Sequence, residues 1–398
     1  MNKRVVVNIG TIVSGDTSKG FLKGDTIIIE KGKISAIGYS TNLNFNNAEL
    51  VIDAAGMMVT PGLIDSHTHP VIGDWTPRQK AINWMEGALN GGVTTIISQG
   101  VVHLPGRPQN RSAAKALAIL CAAIGDNYRP GGIKSHQGTV PLEAGLTEQD
   151  FREMAENGVK IIGEIGVVGK LHHPEDIAEM LSWARQYGMI VPLHFGARSI
   201  PGSARIWSEE VEKIRPDVVL HLNGGPVGAP WPEVKKVIED SKAVLELVYT
   251  GNPKLMYDAI ELIKGRNEYH RVLIGSDTPS GGGLIPSAIL KCILQIASLN
   301  QVPPEIAIAM ATGTTSDLYK LNTGKIEIGR EADLLIMDAP LDSAAHDAME
   351  AIKMGDLPAI EIIMIDGEIV VIEAANTFRS SKTPLLKVNK GSQIINHC

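Results

Sequence analysis

Two histidines one residue apart, His67 and His69, are the residues of this sequence whose types and spacing point most directly to chemistry. They follow an apolar stretch that begins near Val59. Because side chains of a β-strand alternate between two faces, both imidazoles are predicted on the same face, close together. Such a pair can bind a metal ion, but it also fits two polar side chains on the solvent face of an edge strand. The pair alone leaves both interpretations open.

Length and composition indicate a globular protein of enzyme size. The chain has 398 residues, of which 44% are hydrophobic, enough for a large core and an accessory domain. Its net charge is −7, with acidic and basic residues mixed along the chain. Basic patches typical of nucleic-acid binding and polybasic amphipathic stretches typical of membrane binding are missing from the sequence. We therefore expect a small-molecule ligand.

Cysteine usage and the absence of targeting signals predict a cytoplasmic location. Cys121, Cys292 and Cys398 show neither metal-site nor disulfide spacing, which favours reduced thiols. The sequence begins Met-Asn-Lys-Arg-Val and contains neither a long apolar signal region near its start nor a later uninterrupted apolar run of about eighteen residues.

The sequence patterns at both ends of the chain predict short β-strands. Near the start, the predicted strands are residues 5–9, 26–29, 33–37 and 50–53, and similar runs return at 324–338 and 360–371. Each end alone has too few strands to bury a face, so residues 1–60 and 323–376 are predicted to form one composite β-sandwich. Residues 377–398 are predicted to be a surface arm or tail.

Between these ends, compact apolar runs alternate with segments of helical spacing. The runs are residues 63–66, 93–98, 133–140, 159–165, 190–194, 218–222, 244–248 and 272–276. Helical spacing follows at residues 77–90, 111–125, 174–187, 232–240, 253–264 and 284–299. Eight such units predict an α/β fold with a (β/α)8 TIM barrel over residues 61–322. The competing doubly wound sheet lacks its glycine-rich phosphate turn.

Residues suited to metal chemistry stand at the predicted carboxyl ends of these strands, where such barrels place their active sites. They are His67, His69, His136, Glu164, His194, His221 and Asp277. Imidazole and carboxylate donors without cysteine suit Zn²⁺, Fe²⁺, Mn²⁺ or Co²⁺ with coordination positions left for water. The sequence therefore predicts a catalytic metal site at this end of the barrel.

Several runs together resemble the amidohydrolase superfamily over nearly the whole chain. They are the run from Thr60 to His69, the single histidines on strands five and six, Asp277 in its Gly-Ser-Asp-Thr-Pro run, and the run from Gly329 to Leu334. The resemblance implies a metal-dependent hydrolase acting on C–N bonds of cyclic amides, with two divalent metal ions.

The resemblance also implies a ligand set. It assigns His67, His69 and Asp277 to one ion and His194 and His221 to the other. Most relatives with two ions bridge them with a carboxylated lysine on strand four, but Lys160, the only lysine there, lies about 13 Å deeper than Glu164 by strand rise. Glu164 is therefore predicted to be the bridge.

Within the superfamily, several short sequence segments resemble those of the enamidases of nicotinate fermentation. They include the runs beginning at Pro105, Ser199, His221, Pro279 and Leu321. The resemblance implies hydrolysis of 6-oxo-1,4,5,6-tetrahydronicotinate to 2-formylglutarate and ammonia, with zinc and iron as metals. It also implies a homo-oligomer, commonly a tetramer.

Roles for individual residues follow from the chemistry of amide hydrolysis. Asp277 is predicted to act as general base and then general acid, and His136 to donate a hydrogen bond to the developing oxyanion. A substrate carboxylate needs a cation or amide donors, for which loop residues are the candidates. They are Asn223, Arg78 and Arg205, with Arg107 and Arg198 as further arginines.

Three alternatives stay open. The same metals could serve another cyclic amidohydrolase, of the hydantoinase, dihydroorotase or imidazolone hydrolase kind, or a deaminase. A metal-free scaffold relative would be expected to have lost ligands, yet all six positions are filled. A zinc-storing or zinc-sensing protein would not need an acid placed as Asp277 is.

Overall fold

The computed structural model describes residues 3–70, 83–100, 109–167, 173–199, 203–225, 227–279 and 284–388. The chain divides into two compact units. The central unit comprises residues 64–89 and 95–292, and the terminal unit comprises the residues up to Leu63, residues 90–94 and the residues from Ile293 onward. Across the described residues, helices lack the combination of length and apolar composition that crossing a membrane requires.

Strands and helices are numbered along the chain. The strands are β1 (Lys3–Val7), β2 (Thr11–Val13), β3 (Phe21–Leu22), β4 (Thr26–Glu30), β5 (Lys33–Gly38), β6 (Leu50–Asp53), β7 (Met58–Pro61), β8 (Leu63–Thr68), β9 (Val93–Ser98), β10 (Lys134–His136), β11 (Thr139–Val140), β12 (Ile161–Ile162), β13 (Pro192–Leu193), β14 (Val218–Val219), β15 (Val244–Val248), β16 (Val272–Gly275), β17 (Leu334–Asp338), β18 (Ala359–Ile365), β19 (Glu368–Ile372) and β20 (Leu385–Val388). The helices are α1 (Trp84–Leu89), α2 (Arg111–Asn127), α3 (Glu148–Glu156), α4 (Pro174–Gln186), α5 (Ser208–Ile214), α6 (Trp231–Asp240), α7 (Pro253–Arg266), α8 (Ala288–Leu299), α9 (Pro304–Met310), α10 (Gly313–Tyr319) and α11 (Ala348–Met354).

The strands of the central unit form a closed ring of eight positions. Hydrogen bonding joins β8, β9 and β10, then β11 and β12, then β13 through β16. Bridges at Ile161 and Ile165 join the β12 segment to the β13 segment, and a bridge between Thr68 and Thr278 closes the ring. Because β10 and β11 follow each other in the chain, they share the third position. The eight positions coincide with the eight predicted apolar runs.

The described residues of the terminal unit form two sheets. Their strand orders are β20-β6-β1-β4-β5 and β19-β18-β17-β7-β2-β3. Ile27 and Ile52 of the first sheet share one buried apolar cluster with Ile336 and Ile362 of the second. The strands predicted near the start correspond to β1, β4, β5 and β6, whereas β2, β3 and β7 were not predicted.

Helices α9 and α10 lie in the terminal unit, although residues up to 322 were predicted with the barrel. Thr312, which precedes α10, packs closely against Gly15. A Cβ added at Gly15 would lie 3.2 Å from the Thr312 hydroxyl oxygen. Helical spacing shows that a helix has an apolar side but does not show which neighbour covers it. By the division into compact units, α8 contributes residues to both units, and α9 and α10 belong to the terminal unit.

The described part of the predicted tail ends in a strand. β20 pairs antiparallel with β6 at the edge of the first sheet. All four of its residues are exposed, so this strand carries no alternation of buried and exposed positions for a sequence pattern to reveal.

Candidate active site

Six side chains from five positions of the ring converge at the carboxyl ends of its strands. His67, His69 and Glu164 offer donor atoms that lie within 4.8 Å of one another, and Glu164, His194 and His221 form a second such group. Two neighbouring donor groups that share one carboxylate can hold two metal ions. Six of the seven residues predicted at the strand ends therefore lie together in the structure.

Glu164 divides its two carboxylate oxygens between the groups. Its Oε1 lies 2.8 Å from Nε2 of His221 and 3.1 Å from Nδ1 of His194. Its Oε2 lies 3.7 Å from Nε2 of His69 and 3.9 Å from Nε2 of His67. Lys160, the alternative bridge on the same strand segment, is exposed to solvent.

Asp277 completes the group around His67 and His69 from the loop after β16. Its Oδ1 lies 3.3 Å from Nε2 of His69 and 3.6 Å from Nε2 of His67. Its Oδ2 accepts a hydrogen bond from the Thr250 hydroxyl at 3.2 Å. The Asp277 side chain is 20% exposed, compared with 0% for His67 and 2% for His69. Asp277 is therefore the most solvent-accessible of these three side chains.

The four imidazoles each have an oxygen acceptor at the ring nitrogen that faces away from the other donors. The pairs are His67 Nδ1 with Glu246 Oε2 at 2.7 Å, His69 Nδ1 with Gly100 O at 3.1 Å, His194 Nε2 with Ala197 O at 3.0 Å, and His221 Nδ1 with Phe195 O at 3.1 Å. Such acceptors favour a proton on the outer nitrogen and leave a lone pair on the inner one. Each ring therefore directs a nitrogen lone pair towards the other donors, as metal binding would require.

Backbone geometry at two donors is unusual. His221 and Asp277 have φ angles of 34° and 55°, in the left-handed region that side chains other than glycine rarely adopt. Such conformations cost free energy and persist where the surrounding structure enforces them, often at functional sites.

Burial and charge shift the pKa values of these groups. Burial opposes the charge of His67, but Glu246, Asp277 and Glu164 outweigh it and raise the pKa of the imidazole to about 10. Burial also opposes the charge of Glu164, yet hydrogen bonds from His194 and His221 hold its pKa well below the usual value. The carboxylates around the imidazoles therefore favour a positive charge at this position, which a proton or a metal ion can supply.

Asp65 holds two ligand-bearing strands together. Its Oδ1 accepts hydrogen bonds from the backbone N–H groups of His67 at 3.1 Å and Ser276 at 2.9 Å. Burial raises its pKa to about 6 despite these bonds.

The other predicted site residues have different surroundings. His136 lies on β10 opposite Ile97 and is half-buried, and neither group of clustered donors includes it. Asn223 is fully buried, and its side-chain amide bonds the backbone of Val248 in both directions at 2.9 Å. This pairing gives Asn223 a role in joining the segment after β14 to β15.

The candidate arginines are only partly described. Arg205 and Arg198 are exposed in the segment between β13 and α5, and the Arg205 guanidinium lies 5.7 Å from the centroid of the Trp207 ring. Arg78 and Arg107 lie outside the described residues.

Sequence reasoning missed Glu246 and Thr250. Glu246 is the only acidic residue in β15, between buried Leu245 and Leu247. Because glutamate is rarely fully buried without a partner, an acidic residue in this apolar strand could have identified Glu246 as a candidate site residue. Thr250 in its loop carried no comparable signal.

Sequence comparisons identify relatives over almost the whole chain. A sequence model of the amidohydrolase family matches residues 58–370. Enamidase from Eubacterium barkeri is 47% identical over 377 residues, which cover 95% of this chain and 97% of that relative. Imidazolonepropionase from Psychrobacter cryohalolentis is 24% identical over 407 residues, covering 88% of this chain and 90% of the relative.

Structural comparisons agree. A crystal structure of enamidase, described as a member of the amidohydrolase superfamily, matches with a TM-score of 0.93 and 46% identity, covering 97% of this chain and all of that one. A D-hydantoinase structure matches with a TM-score of 0.68 and 16% identity over 94% of this chain and 96% of that one. At that lower identity the likeness concerns the fold, a (β/α)8 barrel.

Proposed function

The chain belongs to the amidohydrolase family, and on that premise we propose that it hydrolyses a cyclic amide at a centre of two divalent metal ions. The observation that carries the proposal is the position of Glu164, whose two oxygens face two separate groups of donors. His67, His69 and Asp277 would hold one ion, His194 and His221 the other, and Glu164 would bridge them.

The donor chemistry fits such a centre. Four imidazoles and two carboxylates, without a thiolate among them, suit zinc and iron, and the outer acceptors prepare each ring to bind metal. When bound, the ions make water more acidic and polarise the amide carbonyl.

The proposed substrate is 6-oxo-1,4,5,6-tetrahydronicotinate, on the basis of the 47% identity with enamidase. Water adds to the ring carbonyl carbon and the C–N bond breaks, which leaves a carboxylate and an enamine. The enamine gains a proton at carbon and loses one from nitrogen to become an imine, which a second water converts to the aldehyde of 2-formylglutarate with release of ammonia.

Asp277 is the residue we propose for proton transfer. Its partly exposed carboxylate could accept the proton of the attacking water and deliver it to the departing nitrogen. The Thr250 hydroxyl, bound to Oδ2, would orient the carboxylate for this task. His136 is proposed to stabilise the oxyanion, and Arg78 and Arg205 to bind the substrate carboxylate. Asn223 would act by positioning the loop after β14, because its own amide already bonds Val248.

The domain arrangement is part of the proposal. We propose that the two sheets of the terminal unit pack as a small β-sandwich, because buried residues of both share one core cluster. We also propose that the protein assembles as a homotetramer, which light scattering of the purified protein would test.

A substrate panel tests the proposed function. The purified, metal-loaded protein is incubated with the tetrahydronicotinate lactam, hydantoin, imidazolone propionate and 5'-deoxyadenosine, and ammonia and ring opening are measured. We expect turnover of the lactam with the highest kcat/KM. Higher kcat/KM on another member would reassign the substrate, and turnover of none would refute the proposal.

A further inference from the structure

Glu246 is a fully buried carboxylate beside the donor cluster. It lies in β15, and its side chain is 0% exposed. A buried carboxylate is costly unless hydrogen bonds and charges compensate it, so its partners indicate what it does.

Those partners lie on neighbouring strands of the ring. Glu246 Oε2 lies 2.7 Å from Nδ1 of His67 and accepts a hydrogen bond from the backbone N–H of His221 at 3.1 Å. Its Oε1 accepts a hydrogen bond from the hydroxyl of Ser66 at 2.5 Å. Glu246 therefore fixes the ring of His67 and ties β8 to the segment after β14.

The acceptor at His67 differs in kind from the acceptors at the other three imidazoles. His69, His194 and His221 each face a neutral backbone carbonyl, whereas His67 faces a carboxylate. A charged acceptor makes a stronger hydrogen bond and increases electron donation from the opposite ring nitrogen more than a carbonyl does. Of the four imidazoles, His67 therefore has the inner nitrogen that donates its electron pair most strongly to a metal ion.

We infer that Glu246 is a positioning residue that makes the two metal positions unequal, so that the position formed by His67, His69 and Asp277 binds its ion more tightly. This inference rests on the proposed two-metal function. It goes further by assigning the difference in affinity to one side chain that does not itself contact the metals.

The test uses Glu246→Gln, which keeps size and shape but removes the charge. The Ser66 hydroxyl also lies 3.1 Å from the Ile274 carbonyl oxygen. In the variant it can donate its hydrogen bond to that carbonyl and accept one from the side-chain amide of the introduced glutamine. The substitution is made in two single-site backgrounds. His221→Asn preserves the His67 position, and His69→Asn preserves the position of His194 and His221.

Metal binding is measured directly. Chelator-treated full-length protein is titrated with Co²⁺, and the visible absorption spectrum reports the dissociation constant and geometry. We expect Glu246→Gln to weaken Co²⁺ binding by roughly 10- to 100-fold in the His221→Asn background. In the His69→Asn background we expect an unchanged dissociation constant and spectrum.

Equal weakening in both backgrounds, or none in either, would overturn the inference. Glu361→Gln, which alters a buried carboxylate of the terminal unit, is the matched control and should leave both constants unchanged. If Glu246→Gln does not fold, Glu246→Asp replaces it. Its shorter side chain withdraws from both His67 and the backbone N–H of His221, so a larger loss of Co²⁺ affinity in the His221→Asn background than in the His69→Asn background supports the inference, and an equal loss overturns it. A wild-type protein that binds two ions but does not hydrolyse the lactam would refute the proposed function and leave this comparison valid.

Discussion

At the scale of single residues, the two carboxylate oxygens of Asp277 face different partners. Oδ1 faces the imidazoles of His67 and His69, whereas Oδ2 faces the Thr250 hydroxyl. One oxygen can therefore serve a metal while the other is oriented to exchange protons. The two tasks are separable by mutation.

Asp277→Asn should abolish proton transfer while keeping an oxygen donor at the metal position. We expect kcat on the lactam to fall by roughly 10²- to 10⁴-fold. Elemental analysis of the same preparation should find the wild-type metal content. Unchanged turnover at full metal content would remove Asp277 from the proton pathway.

Thr250→Val removes the hydrogen bond to Asp277 Oδ2 while nearly preserving side-chain shape. Loss of one orienting hydrogen bond should lower kcat by about 2- to 10-fold with little effect on KM. Thr250→Ser retains a hydroxyl and should restore kcat. A KM effect of the same size with unchanged kcat would show that Thr250 contacts substrate instead.

At the scale of secondary structure, the close contact between β8 and β16 depends on a glycine. A Cβ at Gly275 would lie 2.7 Å from Cβ of His67 and 2.9 Å from Oγ of Ser66. The two strands can therefore approach only if position 275 has no side chain.

Gly275→Ala should displace His67 and reduce the metal bound per chain, measured by elemental analysis after dialysis. Gly265→Ala is the matched control, because a Cβ at this exposed position of α7 meets no atom within 4 Å. It should leave metal content unchanged and leave stability unchanged or raised by up to about 1 kcal/mol. Wild-type metal content in Gly275→Ala would contradict this account of strand packing.

Asp150 joins α2 to the start of α3. Its carboxylate accepts hydrogen bonds from Arg111, Lys115 and the capping residue Thr147, and its side chain is 1% exposed. Burial opposes its charge, but these bonds outweigh it and hold the pKa well below the usual range. The free energy of unfolding therefore depends on this ionised group.

Asp150→Asn should lower the free energy of unfolding by about 1–3 kcal/mol near neutral pH, measured with urea. Because the folded-state pKa is depressed, the contribution is present above the unfolded pKa of about 3.9 and is lost as pH falls through the folded-state value. The difference from wild type should therefore shrink below about pH 4. The control Glu153→Gln alters a partly exposed partner of Lys115 and should not change the midpoint. A difference independent of pH would contradict the assignment.

The elements that sequence could predict share one property, a burial pattern visible along the chain. The eight runs of the barrel are apolar on both faces, and the donors follow directly at their ends. The strand β20 and the placement of α9 and α10 depend on partners distant in sequence, which no local pattern reveals. The same limit hid the contacts of Thr250 and of Glu246.

At the scale of the whole molecule, the donors of the site are distributed from His67 to Asp277, over more than half of the chain. Only folding of the complete ring brings them together, so the metal site and the folded barrel should stabilise each other. Donor types and strand ends made this cluster of histidines and carboxylates predictable from sequence. The outer acceptors were not predictable, because three of them are backbone carbonyls, which carry no sequence signal.

Removal of the metals should therefore destabilise the protein. An ion that binds only the folded state stabilises it by about 4 kcal/mol at a free concentration about 1,000 times its dissociation constant. Chelator-treated protein should unfold at lower urea concentration than the native preparation, and added Zn²⁺ should restore the midpoint. A variant carrying both His69→Asn and His221→Asn should respond weakly to Zn²⁺. An equal response would place the stabilising metal elsewhere.

The most direct test of the central claim is ammonia release from the tetrahydronicotinate lactam by chelator-treated protein during stepwise reloading with metal. The account predicts no release without metal and a rate that saturates when two ions are bound per chain. Release by the metal-free protein, or none from protein with two ions bound per chain, would contradict it.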